Sequence, residues 1–382
     1  MVSLSGNRQQ SFELPVIYSF KNNTLAMIHQ TQKTAITELG REELSGWFES
    51  RGMRAFRADQ VMRWIYTRNA ESFGEMTNIA KNVRETLDQA FSMGTMVPAQ
   101  ERKAADGTRK FSFELKDGCR IESVLLGEKD HYTVCISTQA GCAMGCSFCM
   151  TAGNGLIRNL TPGEIIGQVM TARRLCADDR PLTNIVLMGM GEPLANFDNV
   201  LAALGIITDA ENGMKFASRK ITLSTAGIAP KIEALARQSK VRLAVSLNAP
   251  DNETRSRLMP VTRVYPIEDI LTACRAYNRL HRDRITFEYI LIRGINDAPE
   301  QARQLARLLS PLRGKVNLIP YNPHPGSPFQ RPDANTIENF HNILIESHCT
   351  SMIRWSKGEE IDAACGQLAA GKKENAAIEE AL

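Results

Sequence analysis

From Tyr132 onward the chain repeats one unit six times, a short apolar run followed by a stretch with helical spacing, and few folds accept such a pattern. The apolar runs are Tyr132–Ser137, Asn184–Met188, Lys220–Ser224, Arg242–Leu247, Thr286–Ile292 and Val316–Pro320. Alternation of this kind predicts an α/β protein with a parallel sheet, because successive parallel strands need a crossover that a helix supplies. Six units fall short of the eight that close a complete barrel, so a partial (β/α)6 barrel is expected, open along one side and able to admit a large substrate. One crossover helix is marked at its start. Thr161 is its N-cap, Pro162 stands in the first turn, Glu164 completes a capping box, and Ile165, Ile166, Val169 and Met170 form a buried stripe. In such barrels the chemistry lies on loops beyond the carboxyl ends of the strands.

Ahead of the repeats the pattern changes. Residues 1–35 carry no sustained period and read as an extension. From Arg41 to Gln100, Phe56, Gln60, Val61, Trp64 and Ile65 recur at helical spacing while Arg51, Arg54, Arg57, Arg63 and Arg68 decorate the stretch, predicting a small basic helical domain over 36–100. Such a cluster has two readings, a solvated face or an electrostatic platform for phosphates. Thr108–Leu115 alternates through Phe111, Phe113 and Leu115, and Lys116-Asp117-Gly118 turns it into Arg120–Leu126, a β-hairpin within a linker over 101–128. The barrel core then covers 129–350, a C-terminal segment 351–370 and a polar tail 371–382.

Composition excludes little beyond a membrane protein. No apolar run approaches the roughly 18 residues of a membrane span, and Met1–Asn22 has no apolar core flanked by basic residues, so neither a span nor a secretory signal is expected and the cytoplasm is the expected compartment. A net charge of +4 is compatible with RNA without pointing to it. A monomer is the favoured oligomeric state.

The nine cysteines are odd in number and crowd between Cys135 and Cys149, which points to metal or redox chemistry rather than a disulfide scaffold. Gly141-Cys142-Ala143-Met144-Gly145-Cys146-Ser147-Phe148-Cys149 puts three thiols in one loop between the first parallel strand and the capped helix. A structural zinc site closes with four ligands, and His131, the nearest other candidate, stands before the strand. Three thiolates suit an iron-sulfur cubane whose fourth iron stays open to a ligand. Burial as three unrelated core cysteines is the remaining reading. Met188-Gly189-Met190-Gly191-Glu192-Pro193 ends the second strand, where glycines permit close backbone approach and a carboxylate can hold an ammonium group.

The spacing C-x-x-x-C-x-x-C, with Phe148 before the last cysteine, resembles the signature of the radical S-adenosylmethionine (SAM) superfamily. The resemblance implies a 4Fe-4S cluster on Cys142, Cys146 and Cys149 whose open iron chelates SAM, and one-electron cleavage of the sulfonium to a 5′-deoxyadenosyl radical. Gly191 and Glu192 are similar to the superfamily's glycine-glutamate motif for the SAM amino group. The expected fold becomes a partial (β/α)6 radical SAM barrel with a small N-terminal helical domain and a connecting β-hairpin.

A further set of segments is similar to the dual-specificity adenosine-C2 RNA methyltransferase family. These are Phe56-Arg57-Ala58-Asp59-Gln60-Val61, Arg120-Ile121-Glu122-Ser123-Val124, Cys135-Ile136-Ser137, Leu223-Ser224-Thr225, Ile319-Pro320-Tyr321-Asn322-Pro323 and Ile361-Asp362-Ala363-Ala364-Cys365-Gly366-Gln367-Leu368. The resemblance implies methylation of carbon 2 of an adenosine in 23S rRNA and in tRNA. It makes Cys365 the methyl-carrying cysteine, Cys135 its resolving partner and Glu122 the proton acceptor. It puts Ser224, Ser246, Leu247, Asn248 and Asn322 at SAM-contacting positions. It also implies RNA as partner and a flavodoxin- or ferredoxin-type reductant. One position departs from the pattern: Asn248 stands where the family has histidine, so an amide replaces a titratable ring.

The extra cysteines have a chemical rationale. Carbon 2 of adenine is electron-poor and its hydrogen is not acidic, so it does not take a methyl group from SAM by nucleophilic attack. A thiolate does, and Cys365 can carry a methyl from one SAM while a second SAM supplies the radical that removes hydrogen from it. The carbon radical then adds to adenine. Release requires loss of the carbon-2 proton, with Glu122 as base, and attack of Cys135 on the sulfur of Cys365. Two SAM molecules per turnover and a Cys135–Cys365 disulfide product are therefore implied. Taken alone, Cys365 reads as a small packing residue and Cys135 as a barrel filler, while Cys119, Cys176, Cys274 and Cys349 read as structural. Methylation at carbon 8 by a sister family, or a zinc-containing RNA-binding factor without catalysis, are the alternatives. A base stacked in folded RNA has to be flipped out to react.

Overall fold

Along the longer parallel strands large apolar residues recur at alternate positions, and that alternation decides which way each strand faces. The computed structural model describes residues 33–153, 155–176 and 180–369; the tail expected over 371–382 and all but the last residues of the expected extension lie outside them. Ten strands form one sheet: β1 Gln100–Lys103, β2 Arg109–Glu114, β3 Arg120–Gly127, β4 Tyr132–Cys135, β5 Leu182–Leu187, β6 Ile221–Thr225, β7 Arg242–Ser246, β8 Ile285–Leu291, β9 Gly314–Pro320 and β10 Ser351–Ile353. Their order in space is their order in the chain, antiparallel from β1 to β4 and parallel from β4 to β10.

The principal helices are α1 Arg41–Glu49, α2 Phe56–Met62, α3 Lys81–Ala90, α4 Pro162–Leu175, α5 Phe197–Thr208, α6 Ala229–Gln238, α7 Ile267–Leu280, α8 Pro299–Leu309 and α9 Ala334–Glu346. Helices α4 to α9 each follow one of the strands β4 to β9, which is the partial (β/α)6 arrangement expected. Leu223, Leu243, Val245, Phe287, Tyr289, Val316 and Leu318 are buried against Ile232, Ile270, Tyr277, Leu305 and Phe340 on these helices, each full burial contributing about 1.5–3 kcal/mol. The alternate residues, among them Ser224, Ser246, Glu288 and Asn317, turn the other way and line a cavity.

Two strands of this sheet go beyond the expectation. β10 adds a seventh parallel strand, three residues long and so too short to show a period. β1 is Gln-Glu-Arg-Lys, exposed throughout, with no apolar alternation to reveal it. The hairpin β2–β3 is continuous with the barrel because β3 also pairs with β4, Val124 opposite Cys135.

α4 begins as its cap residues dictate. Thr161 Oγ1 accepts from Glu164 N at 3.2 Å and Glu164 Oε2 accepts from Thr161 N at 3.0 Å. Arg158 clamps Glu164 with two bonds of 2.7 and 2.8 Å and reaches Asp117 in the hairpin turn at 2.5 Å. Inside, Gln168 of α4 donates to Ser137 O and accepts from Ser137 N and Ser123 Oγ, tying helix to β3 and the end of β4.

In the N-terminal domain Ala58, Val61, Met62, Ile65 and Tyr66 make the buried stripe, and the helix widens into a π-helical turn over Arg63–Thr67. Phe56, expected on that stripe, is instead exposed, with the Arg57 guanidinium 5.1 Å from its ring. Glu38 docks this domain on the barrel by accepting from Thr161 Oγ1 at 2.8 Å. Among the described residues no helix is long and apolar enough to cross a membrane.

Candidate active site

The inward faces of the parallel strands surround a cavity of about 1110 Å³, above the roughly 300–1,000 Å³ of a pocket for one small ligand. Cys135, Cys142, Cys146, Cys149, Gly191, Glu192, Ser224, Ser246, Asn248 and Cys365 all line it. The structure therefore gathers most of the residues selected from sequence. Leu247, Asn322 and Glu122 do not line it.

The cysteine loop owes its shape to two glycines. Gly141 has φ 76° and Gly145 φ 66°, and a Cβ at Gly141 would lie 1.9 Å from Gly155 O. Cys142 N donates to Gly155 O and Cys149 N to Cys146 O. Burial, reinforced by Cys149 and Cys142, pushes the Cys146 thiol far above its ordinary value. Burial, with Glu192 and Cys149 adding to it, pushes Cys142 up to about 11. Thiols that hinder one another's ionisation are stabilised as thiolates by bound cationic metal. Among the described residues no three His, Cys, Asp or Glu side chains gather on a single ion, and a cubane does not ask for that, since each thiolate ligates a different iron. The donor set fits a cluster.

Beside the loop, β5 ends in the Gly191-Glu192 turn. Gly191 has φ 100°, and a Cβ there would come within 2.5 Å of Gln139 Cβ, so the turn is pressed against the strand end next to it. Glu192 is 3% exposed; its carboxylate accepts from Ala226 N at 2.6 Å and Leu194 N at 3.0 Å, and burial raises its pKa. A buried carboxylate on the cavity wall can hold a ligand's ammonium group.

Asn248 explains its own departure from the family pattern. It has φ 59°, a left-handed conformation that Asn and His adopt more readily than most residues. Its Oδ1 accepts from Ile290 N at 2.9 Å and its Nδ2 donates to Met259 Sδ at 3.2 Å, so the amide links the ends of β7 and β8. Leu247 is fully buried in the core, and Asn322 Nδ2 donates to Cys365 O at 3.1 Å. Arg255, absent from the sequence reading, holds this region together. Fully buried, it donates to Leu247 O, Ser246 O, Ala226 O and Thr262 Oγ1 at 2.6 to 3.1 Å. A lone arginine in a short polar helix carries no sequence signal of that task.

The segment bearing Cys365 lies against the cysteine loop, with Met150 N donating to Gly366 O at 2.8 Å and Thr151 Oγ1 to Leu368 O at 2.5 Å. Cys365 is an exposed residue on the cavity wall, and the enclosure of its thiol there, with Glu288 and Cys149 adding to it, pushes it up to about 11. Burial and the neighbouring Cys365 raise Cys135 as well, so the two thiols share one space. Glu122 shares the cavity-facing side of β3 with Val124 and Leu126 but is roofed over. It pairs with Lys110 at 3.2 Å and accepts from Ala369 N at 3.1 Å.

A partial β/α barrel with a three-thiol loop at one end and a Gly-Glu turn beside it is a radical SAM enzyme, and the Radical SAM superfamily model matches residues 136–306. The model of the ribosomal RNA large subunit methyltransferase N-terminal domain matches residues 34–93. A dual-specificity RNA methyltransferase RlmN from Desulfosudis oleivorans is 52% identical over 338 residues, covering 88% of this chain and 91% of that protein. Its namesake from Geobacter sulfurreducens is 47% identical over 333 residues, covering 87% and 91%. A radical SAM methyltransferase from Sphaerobacter thermophilus has the same fold, with a TM-score of 0.84 at 44% identity, covering 88% of this chain and 99% of that one. The chain belongs to the dual-specificity RNA methyltransferase RlmN family.

Proposed function

We propose that the protein methylates carbon 2 of an adenosine in 23S rRNA and in tRNA, with Cys365 as methyl carrier and Cys135 as resolving thiol. The observation that carries this is the presence of both thiols in the cavity that the three-cysteine loop caps. Cys142, Cys146 and Cys149 would hold the 4Fe-4S cluster, and Gly191, Glu192, Ser224, Ser246 and Asn248 would hold SAM. When bound, the cluster and two successive SAM molecules supply the methyl group and a hydrogen-abstracting radical, with electrons from a flavodoxin- or ferredoxin-type donor.

The chain's own residues do the rest. Cys365 has to lose its proton to act, and a sulfonium beside it favours the thiolate that burial disfavours. Cys135, which shares the cavity with Cys365, would attack the sulfur of Cys365 and free the product. Glu122 is the proposed proton acceptor; reaching the base requires the Ala369 contact to open, which couples proton transfer to movement of the Cys365 segment. The domain over 36–100 would grip RNA through Arg51, Arg57 and Arg68, which lie over Trp47, Phe56 and Trp64 at 4.2, 5.1 and 4.1 Å. A monomer working in the cytoplasm, where 23S rRNA and tRNA are found, completes the proposal.

Anaerobic reconstitution followed by incubation with SAM, reductant and RNA tests the scheme. Digested RNA should contain 2-methyladenosine, Cys365→Ala should transfer no methyl group, and Cys135→Ala should accumulate a covalent protein–RNA adduct. A methyl group on carbon 8, or full activity of the Cys365 variant, would refute the assignment.

A further inference from the structure

Next to Ser246, the proposed SAM contact at the end of β7, Glu288 on β8 and Asn317 on β9 stand side by side in register and face the same cavity. Glu288 is 7% and Asn317 8% exposed. Asn317 Nδ2 donates to Glu288 Oε1 at 3.0 Å, which leaves the second carboxyl oxygen to a ligand. Asn317 Oδ1 is buried without any hydrogen-bond partner. A buried acceptor left unmatched costs about 1–3 kcal/mol, so a donor brought to it by a ligand is strongly favoured. Neither residue has a part in the methyl relay described above.

The cavity continues past this pair to the amino ends of the strands. There Arg219, Lys220, Arg242, Arg284 and Lys315 face it, against Asp283 and Glu128, and the exposed Trp355, which follows β10, lines the same cavity. A cationic rim with an aromatic ring suits a nucleic-acid strand whose phosphates stay outside while one base enters.

We propose that Glu288 and Asn317 read the target adenine: its carbon-6 amino group donates to Asn317 Oδ1 and its ring nitrogen 1 accepts from the Glu288 carboxyl, which turns carbon 2 toward Cys365. This rests on the adenine-methylating reading above and adds the base recognition that reading lacks. The pair matches adenine in particular. Guanine presents an acceptor at carbon 6, which would face Asn317 Oδ1 without a hydrogen, and a donor at nitrogen 1. Burial, partly offset by Asn317, Arg354 and Lys315, pushes the Glu288 carboxyl up to about 7, so below that pH it carries the proton that nitrogen 1 needs. Cys365 lines the same cavity within electrostatic reach of this carboxyl, and in the proposed pose carbon 2, next to nitrogen 1, is the atom presented to the sulfur.

The test uses the reconstituted full-length enzyme without reductant and an RNA in which the wild type methylates a known adenosine, that position carrying either adenosine or purine riboside, which lacks the amino group. Wild type should bind the purine riboside RNA about tenfold more weakly, and Asn317→Ala should bind the two RNAs equally, a chemical double-mutant cycle. Wild-type affinity for the adenosine RNA should fall as pH rises from 6 to 8. Glu288→Gln, whose amide always donates, should bind equally across that range. If the alanine variant does not fold, the wild-type comparison of the two RNAs still decides. Equal wild-type binding of both, or an unaltered preference in Asn317→Ala, overturns the proposal. Weakened SAM binding with the preference intact would assign the pair to the cofactor and also overturn it. Absence of any methylated adenosine with wild type would instead sink the underlying reading.

Discussion

At the scale of single residues, the barrel relies on polar side chains whose value depends on how they are enclosed. Arg255 donates to three carbonyls at the ends of β6 and β7, and Arg255→Leu would leave all of them buried and unmatched. Denaturant unfolding should show a loss of about 3–5 kcal/mol, since each buried acceptor left without a donor costs about 1–3 kcal/mol, and SAM affinity should fall with it; a fully stable variant would remove this role. Glu288 carries a linkage of definite sign. Its folded pKa of about 7 lies above the ordinary 4.5, so it stabilises the fold fully below pH 4.5 and loses that contribution as pH rises to 7. Relative to Glu288→Gln, the wild type should lose about 3 kcal/mol across this window, read as diverging melting curves. The three cluster thiols and Gly191-Glu192 were legible in sequence because their chemistry is written in spacing along a single loop. Arg255, Glu288 and Asn317 were not, since each acts across strands and only the sheet's register brings its partners together.

At the scale of elements, local rules mostly agree with tertiary demand. The α4 start reads correctly because its cap satisfies free N–H groups through neighbours in sequence. Thr161→Ala should cost about 1 kcal/mol in urea unfolding, with the SAM site unaffected; no change would mean that Arg158 alone fixes the helix start. The six apolar strands were recognisable to within two residues because helices cover their outer face continuously. β1 and β10 give no strand signal in sequence, for opposite reasons, one lacking apolar residues and the other lacking length. The C-terminal segment has no periodic signal at all. Its position depends on backbone bonds to Gly366 and Leu368 from the cysteine loop, which residue types do not announce.

At the scale of the whole molecule, the proposed function gives RNA two basic regions to meet, the N-terminal arginines and the rim at the strands' amino ends. Replacing Arg54, Arg57 and Arg63 together by glutamine should weaken RNA binding and flatten the slope of log affinity against log salt by roughly two to three, measured by filter binding; an unchanged slope would exclude the domain from phosphate contact. Arg63 also donates to Asn212 of the barrel at 2.8 Å, so its single replacement should additionally loosen that junction. The cavity that runs from the cysteine loop to the cationic rim has a further consequence for traffic. In the proposed scheme SAM docks at the cysteine loop and RNA at the rim, so a spent nucleoside would depart and a fresh one arrive while the macromolecule stays seated, and a reaction drawing twice on the same reagent would run within one encounter.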